Sequence, residues 1–398
     1  MRDTATQLRP FVSPARVTAG PGSSAFAGPE AIASGIRPAH GPLLLVADAA
    51  VLSLGLADPA LESLRAAGFE VDVRPEVAGE PTPDTVRALL PADRDRRIAG
   101  VVAIGGGSAL DAGKLVAAAH VNPIDLTAGL AATAEIAPPP PTIAVPTTAG
   151  TGAEATAVAM LWHEGGKRMF VHPHLVPRAA LLDPELLSGL PAAVTAAGGL
   201  DAISHAVESL LSTFATALTE AAARAALESL SWAVPEAFES GTPEAREATL
   251  LGAFQAGLAL NASVVLGHSL AYVIAARANL PHGVSCAMAL PYCLAHARPA
   301  REREIDAIAR LVCREEDADG GRLVAWLAEA NERMGIPMSL KEVGIPASDL
   351  AAMAMECVES YPRPNHPAPI DVPALETLLG YHFEGAQTDA WNASRSLA

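Results

Sequence analysis

The chain has 398 residues with 27 basic against 44 acidic side chains, a formal charge of −17, and is 50% hydrophobic with aromatics at only 4%. Its length exceeds what one hydrophobic core serves and predicts two domains, and the alanine-rich apolar fraction favours closely packed helices. An acidic balance without a Lys/Arg cluster argues against nucleic acid and anionic membrane as partners, and no run reaches the length of a membrane span.

Residues 1–7 show no basic start leading into an apolar core, so a cytoplasmic location is expected. The four cysteines (286, 293, 313 and 357) form no CxxC pair, which argues against a disulfide framework or a thiolate zinc site and leaves them as buried or incidental.

After a Gly-Pro-Gly turn at 20–22, the apolar run 43–46 reads as a strand ending at Asp48, and residues 60–67 as a helix. A second strand is predicted over 69–73, a helix around 85–90 and a buried strand over 98–104. Gly105, Gly106, Gly107 and Ser108 then lead into a helix over 109–119. Strand, glycine turn and helix let a phosphate approach bare backbone N–H groups at the positive end of a helix dipole. Lys114 lies three residues after Asp111 on that helix, as a phosphate counter-charge or as a surface partner of Asp111.

Four prolines at 138–141 form an extended connector into a strand over 142–145. A second small-residue loop, 146–156, follows with Thr147, Thr148, Thr151 and Thr156. Two such loops at strand ends describe a nucleotide crevice, and Asp48 is placed to accept from a ribose 2′-hydroxyl and repel a 2′-phosphate, favouring NAD over NADP. Past residue 184 the texture becomes a series of Ala/Leu-rich amphipathic segments. The expected architecture is an α/β dinucleotide-binding domain over 1–187 and an all-α metal-binding and substrate domain over 188–398.

Asp201 and His205, four apart in a helical pattern, share one helix face. His268 and His282 stand downstream in apolar sequence, where an unpaired imidazole is costly. One carboxylate and three imidazoles suit a divalent ion, Fe(II), Zn(II), Mn(II) or Co(II).

The segments 105–114, 146–156, 182–184, 198–209 and 279–283 together resemble the iron-containing, group III alcohol dehydrogenases. The resemblance implies a nucleotide-binding α/β domain and a helical domain with a divalent metal between them. Asp201, His205, His268 and His282 match that family's four ligands, and Asp48 its NAD-associated acidic position. It also makes Fe(II) the first metal expected, with Zn(II) second, and a homodimer or larger homo-oligomer the expected assembly. This chain departs from the pattern at Tyr272, where many members carry a second histidine, at Ile274-Ala275-Ala276, and at Arg277, where an aromatic is common. The nicotinamide-side lysine of the family has Lys167 as its nearest candidate.

The expected activity is metal-dependent, NAD(H)-dependent interconversion of a small alcohol and aldehyde, with the ion as Lewis acid and the nicotinamide exchanging hydride. Tyr272, on the face of His268, either passes a proton to solvent or fills the core. Arg277, in the otherwise uncharged run 273–278, must pair with a carboxylate such as Glu208, reach water, or hold a carboxylate or phosphonate of the substrate. Competing readings are an NAD- and metal-dependent cyclase or lyase similar to dehydroquinate synthase, and a metal hydrolase.

Overall fold

The structure, a computed structural model, describes residues 9–77, 79–93 and 96–396. Its first half alternates strand and helix: β1 (Arg16–Ala19), α1 (Ala27–Ala33), β2 (Leu43–Asp48), α2 (Ala49–Ser53), α3 (Asp58–Ala66), β3 (Val71–Val77), α4 (Pro83–Leu89), β4 (Gly100–Gly105), α5 (Gly107–Val121) and β5 (Thr142–Pro146). A hairpin of β6 (Val158–His163) and β7 (Gly166–Val171) follows, then β8 (Ala179–Leu182).

Six strands form one sheet in the order β1-β8-β5-β4-β2-β3, every pair parallel. β2, β4 and β5 are apolar on both faces and buried along nearly their whole length, as a sheet covered by helices on each side requires. The chain runs from β2 outward to β3, then returns to place β4 on the other side of β2. That reversal opens a crevice at the carboxyl ends of β2 and β4, where Asp48 and Gly105 end their strands.

Sequence reading did not predict β1, the hairpin or β8. The hairpin turns through Glu164 and Gly165, both at positive φ (46° and 75°), the backbone a tight two-residue connection demands. Strand β8 is four residues of plain alanine and leucine, a pattern that a helix shares.

From residue 192 onward, among the described residues, every regular element is helical: α6 (Ala192–Leu211), α7 (Ala217–Glu239), α8 (Pro243–Ala259), α9 (Leu266–Ala278), α10 (His282–Cys313, bent at Arg301), α11 (Gly320–Arg333), α12 (Leu350–Glu359), α13 (Val372–Glu384) and α14 (Gln387–Ala393). Their apolar faces merge into one core that includes Leu200, Leu227, Leu270 and Leu294. Among the described residues no single helix is long and apolar enough to cross a membrane.

The two halves meet through glycine. A Cβ on Gly150 would come within 2.7 Å of the Gly198 Cα on α6, and one on Gly152, whose φ is +61°, within 2.5 Å of the Gly257 Cα on α8. The glycines of the 146–156 loop therefore serve close helix docking, beyond any part in a cradle for phosphate.

Candidate metal and nucleotide site

Helix α6 carries Asp201 and His205 one turn apart, α9 carries His268 in its first turn, and α10 begins at His282. The three helices converge so that Asp201 Oδ1 lies 3.6 Å from His205 Nε2, 3.6 Å from His268 Nε2 and 3.9 Å from His282 Nε2. Asp201 is buried at 2% exposure and its Oδ1 has no hydrogen-bond partner. A buried, unsatisfied carboxylate oxygen facing three imidazole nitrogens is costly unless a cation completes it. Donors at about 2.0–2.1 Å around a tetrahedral ion stand roughly 3.4 Å apart, and each of these three separations from Asp201 lies within about half an ångström of that edge. Burial alone would raise the Asp201 carboxyl, but the facing imidazoles of His205, His282 and His268 outweigh it and hold the group well below the usual carboxylate range.

A further carboxylate orients this shell. Glu208, seven residues after Asp201 on α6, accepts from His268 Nδ1 at 2.6 Å and from the Val265 and His268 backbone amides at 2.8 and 3.3 Å. That pattern assigns the proton to Nδ1 and turns the Nε2 lone pair toward Asp201. Gly267 makes room for it, since a Cβ there would stand 2.6 Å from Glu208 Oε1. Sequence reading missed Glu208 in this role, although its spacing from Asp201 places both on one helix face.

Cys286 is buried, as expected of it, and it also stands among the metal-facing side chains. Its Sγ lies 3.7 Å from His268 Nε2 and 3.5 Å from His282 Nε2, and Asp201, His268, His282 and Cys286 present donors all within 4.8 Å of one another. Burial pushes this thiol up to about 12. The signal was available: Cys286 follows His282 by four residues at the start of a helix, the spacing that singles out Asp201 and His205.

Toward the α/β half, the cleft of about 310 Å³ is lined by Gly107, Ser108, Thr151 and Thr156 as well as by Asp201, His205, His268 and His282. The two small-residue loops touch, because a Cβ on Gly106 would lie 3.3 Å from Thr148 Oγ1 and one on Gly107 2.8 Å from Thr151 Oγ1. Gly107 and Ser108, both at the cleft wall, open the 15-residue helix α5, whose first amides have no partner within the helix. Thr147 is buried with its amide on the Gly105 carbonyl at 2.9 Å and braces the cradle from behind, while Thr156, at the cleft wall, has its hydroxyl engaged by Lys114. Asp48 caps α2 through Oδ1, which accepts from Val51 N at 2.8 Å, while its Oδ2 lies 3.4 Å from the place of a Cβ on Gly105.

Several expectations need correction. Lys114 is neither a phosphate counter-charge nor a surface residue: its side chain is 0% exposed, and Nζ donates to the Val158 carbonyl at 2.7 Å, with Asp111 at 3.7 Å. Burial lifts Asp111 to about 6, opposed by that ammonium. Arg277 does not reach the cleft. It stands five residues after Tyr272, roughly 140° around the helix, and donates to Glu356 on α12 at 2.8 Å. The ion-pair reading holds for Arg277, with Glu356 in place of Glu208. Tyr272 is not core filling. Its half-buried ring lines the cleft, stacked on His282 at 5.3 Å and edge-on to His268 at 6.2 Å. Lys167 also lines the cleft, paired to Glu80 at 2.9 Å.

An α/β half with a strand-reversal crevice, facing a helical half with one carboxylate and three imidazoles, has the parts of an enzyme that brings a nucleotide and a metal ion to one cleft. The family models for iron-containing alcohol dehydrogenase and for the C-terminal part of the Fe-containing family match residues 14–184 and 195–381. The chain is 32% identical over 380 residues, 94% of each chain, to the probable alcohol dehydrogenase EutG of Escherichia coli (strain K12). A crystal structure of 1,3-propanediol oxidoreductase superposes with a TM-score of 0.87 at 28% identity, covering 95% of this chain and 100% of that one. The sulfoacetaldehyde reductase of Bifidobacterium kashiwanohense, solved with NAD+, gives 0.84 at 25% identity over 94% of this chain and 99% of that one. The protein belongs to the iron-containing alcohol dehydrogenase family and is an oxidoreductase of alcohols and aldehydes.

Proposed function

We propose that this enzyme interconverts a small aldehyde and its alcohol with NAD(H), at one divalent ion held by Asp201, His205, His268 and His282. The observation that carries the reading is the unsatisfied Asp201 Oδ1 facing three imidazoles at one end of a cleft whose other end is the start of α5. When bound, an iron or zinc ion supplies a Lewis acid for the carbonyl oxygen and the nicotinamide supplies the hydride. Asp201 and the histidines hold the ion, Glu208 sets the His268 tautomer, and the Gly107 and Ser108 amides with Thr151 receive the pyrophosphate. The carbonyl faces the histidine cluster at the floor of the cleft, with Met160, Leu161, Trp162 and Met169 supplying apolar wall. The same reading takes the enzyme to be cytoplasmic and homo-oligomeric, and its substrate to carry an acidic group. The test is NADH oxidation by the iron- and zinc-reconstituted enzyme with short aldehydes: one NADH consumed per aldehyde supports the reading, whereas a cyclase or hydrolase turns over without net consumption.

NAD preference rests on Asp48, which also caps a helix. Asp48→Asn keeps a capping oxygen and removes the charge, so we expect kcat/KM with NADPH to rise by about tenfold while thermal stability stays within roughly 1 kcal/mol. An unmodified enzyme that already favours NADPH would remove Asp48 from the ribose.

Tyr272 is proposed to pass the proton between the reacting oxygen and solvent, a role supported by its ring in the cleft against His282. Tyr272→Phe is expected to lower kcat severalfold with ion content unchanged; equal turnover would leave the hydroxyl no part in proton transfer.

A further inference from the structure

The cleft carries an imbalance of charge at one place. Its carboxylates are each accounted for: Glu80 pairs with Lys167 at 2.9 Å, Asp111 with Lys114 at 3.7 Å, and Asp201 faces the imidazoles. Of its two cations, Lys167 is thereby neutralised. Arg363, on the segment between α12 and α13, is not. Among the described residues no carboxylate lies within 4.0 Å of its guanidinium, although the residue is half-buried and lines the same cleft.

Arg363 is also held in one direction. Its Nε donates to Ser269 Oγ at 3.1 Å, and that hydroxyl donates to the Tyr361 carbonyl at 2.7 Å. The guanidinium carbon stands 5.8 Å from the Tyr272 ring centroid, within range for a cation over an aromatic face. Ser269 follows His268 in sequence, and the Tyr272 ring that Arg363 approaches also stacks on His282, so the guanidinium and the histidine cluster where the carbonyl would bind lie against the same ring. With Nε occupied, the two terminal nitrogens are left to present the parallel N–H pair that a carboxylate, sulfonate or phosphonate accepts. A half-buried guanidinium without a counter-charge is costly to keep and gains most from an anionic ligand.

We propose that Arg363 is the substrate-specificity residue of this enzyme, binding the anionic group of a short aldehyde a few bonds from its carbonyl carbon. This rests on the aldehyde reductase reading above. The chemistry is unchanged: one hydride is added to the carbonyl carbon and one proton to its oxygen, and the anionic group is only a handle.

The experiment compares succinate semialdehyde with butyraldehyde, and sulfoacetaldehyde with phosphonoacetaldehyde, for the reconstituted wild-type enzyme and for Arg363→Leu and Arg363→Lys. The wild type is expected to favour succinate semialdehyde over butyraldehyde at least tenfold in kcat/KM. Arg363→Leu should raise KM for the anionic aldehydes about thirtyfold, leaving kcat, butyraldehyde kinetics and KM for NADH within twofold. Arg363→Lys should recover part of the loss, because it restores the charge without the planar fork. The order among carboxylate, sulfonate and phosphonate identifies which anion the site is built for. Equal losses on charged and neutral aldehydes in Arg363→Leu, with Arg363→Lys no better, would overturn the inference while leaving the reductase reading intact. No NADH oxidation with any aldehyde would overturn both.

Discussion

His268→Ala is expected to release the ion and reduce kcat/KM by at least about a thousandfold, an effect of roughly 4 kcal/mol on the transition state. The size follows from position. His268 Nε2 lies 3.6 Å from Asp201 Oδ1 and 3.7 Å from Cys286 Sγ, while His205 stacks on its ring at 4.8 Å, so its removal opens the middle of the donor set. It also leaves Glu208 buried without its imidazole, which costs stability of its own. His268→Gln, which retains a polar group near Glu208, separates the two losses. Elemental analysis reads the ion, NADH fluorescence reads the nucleotide site, and thermal unfolding reads the fold. Lost ion with unchanged NADH binding is the expected pattern. A stoichiometric ion in either variant would remove His268 from the metal shell.

Glu208→Gln should weaken the ion by about 10- to 100-fold without touching any atom of the cleft. The carboxylate accepts three hydrogen bonds, one from His268 Nδ1 and two from the backbone at the start of α9. Its Oε2 takes both backbone amides, so an amide oxygen can keep those two while its NH2 group faces His268 Nδ1; the imidazole must then move its proton to Nε2, the atom that faces Asp201, or leave two buried donors opposed at about 1–3 kcal/mol. The variant should therefore unfold at lower temperature even without metal, and a competitive chelator titration should show the weakened ion. Unchanged ion affinity would reduce Glu208 to a structural brace for α9.

Much of the site was legible because its signals are local. Asp201 and His205 are one turn apart, and the glycine turn at 105–107 directly follows an apolar strand, so helix geometry and strand pattern place them without knowledge of the fold. Glu208 and Cys286 were open to the same reasoning, but a glutamate on an amphipathic helix and a lone cysteine have ordinary uses that sequence alone does not distinguish. Lys114 was out of reach: whether a lysine three residues from an aspartate faces water depends on the 146–156 loop and strand β6 closing over it. The missed hairpin and β8 belong with it, since short strands of small or mixed residues are defined by their neighbours.

The sequence by itself determined which chemistry is available, because donor type, helix spacing and backbone permissiveness are properties of residues and their near neighbours. It set the carboxylate and imidazoles, the two small-residue loops, the acidic end of β2 and the alternation that yields a parallel sheet followed by helices. Only the tertiary structure decided which charges meet. Arg277 and Arg363 are both arginines in apolar or proline-rich surroundings; the first turns away from the cleft to Glu356, and the second, nearly a hundred residues from Ser269 in sequence, is brought into it. Charge pairing acts through space at a few ångströms and carries no sequence period, so the partner of a cation is settled by packing.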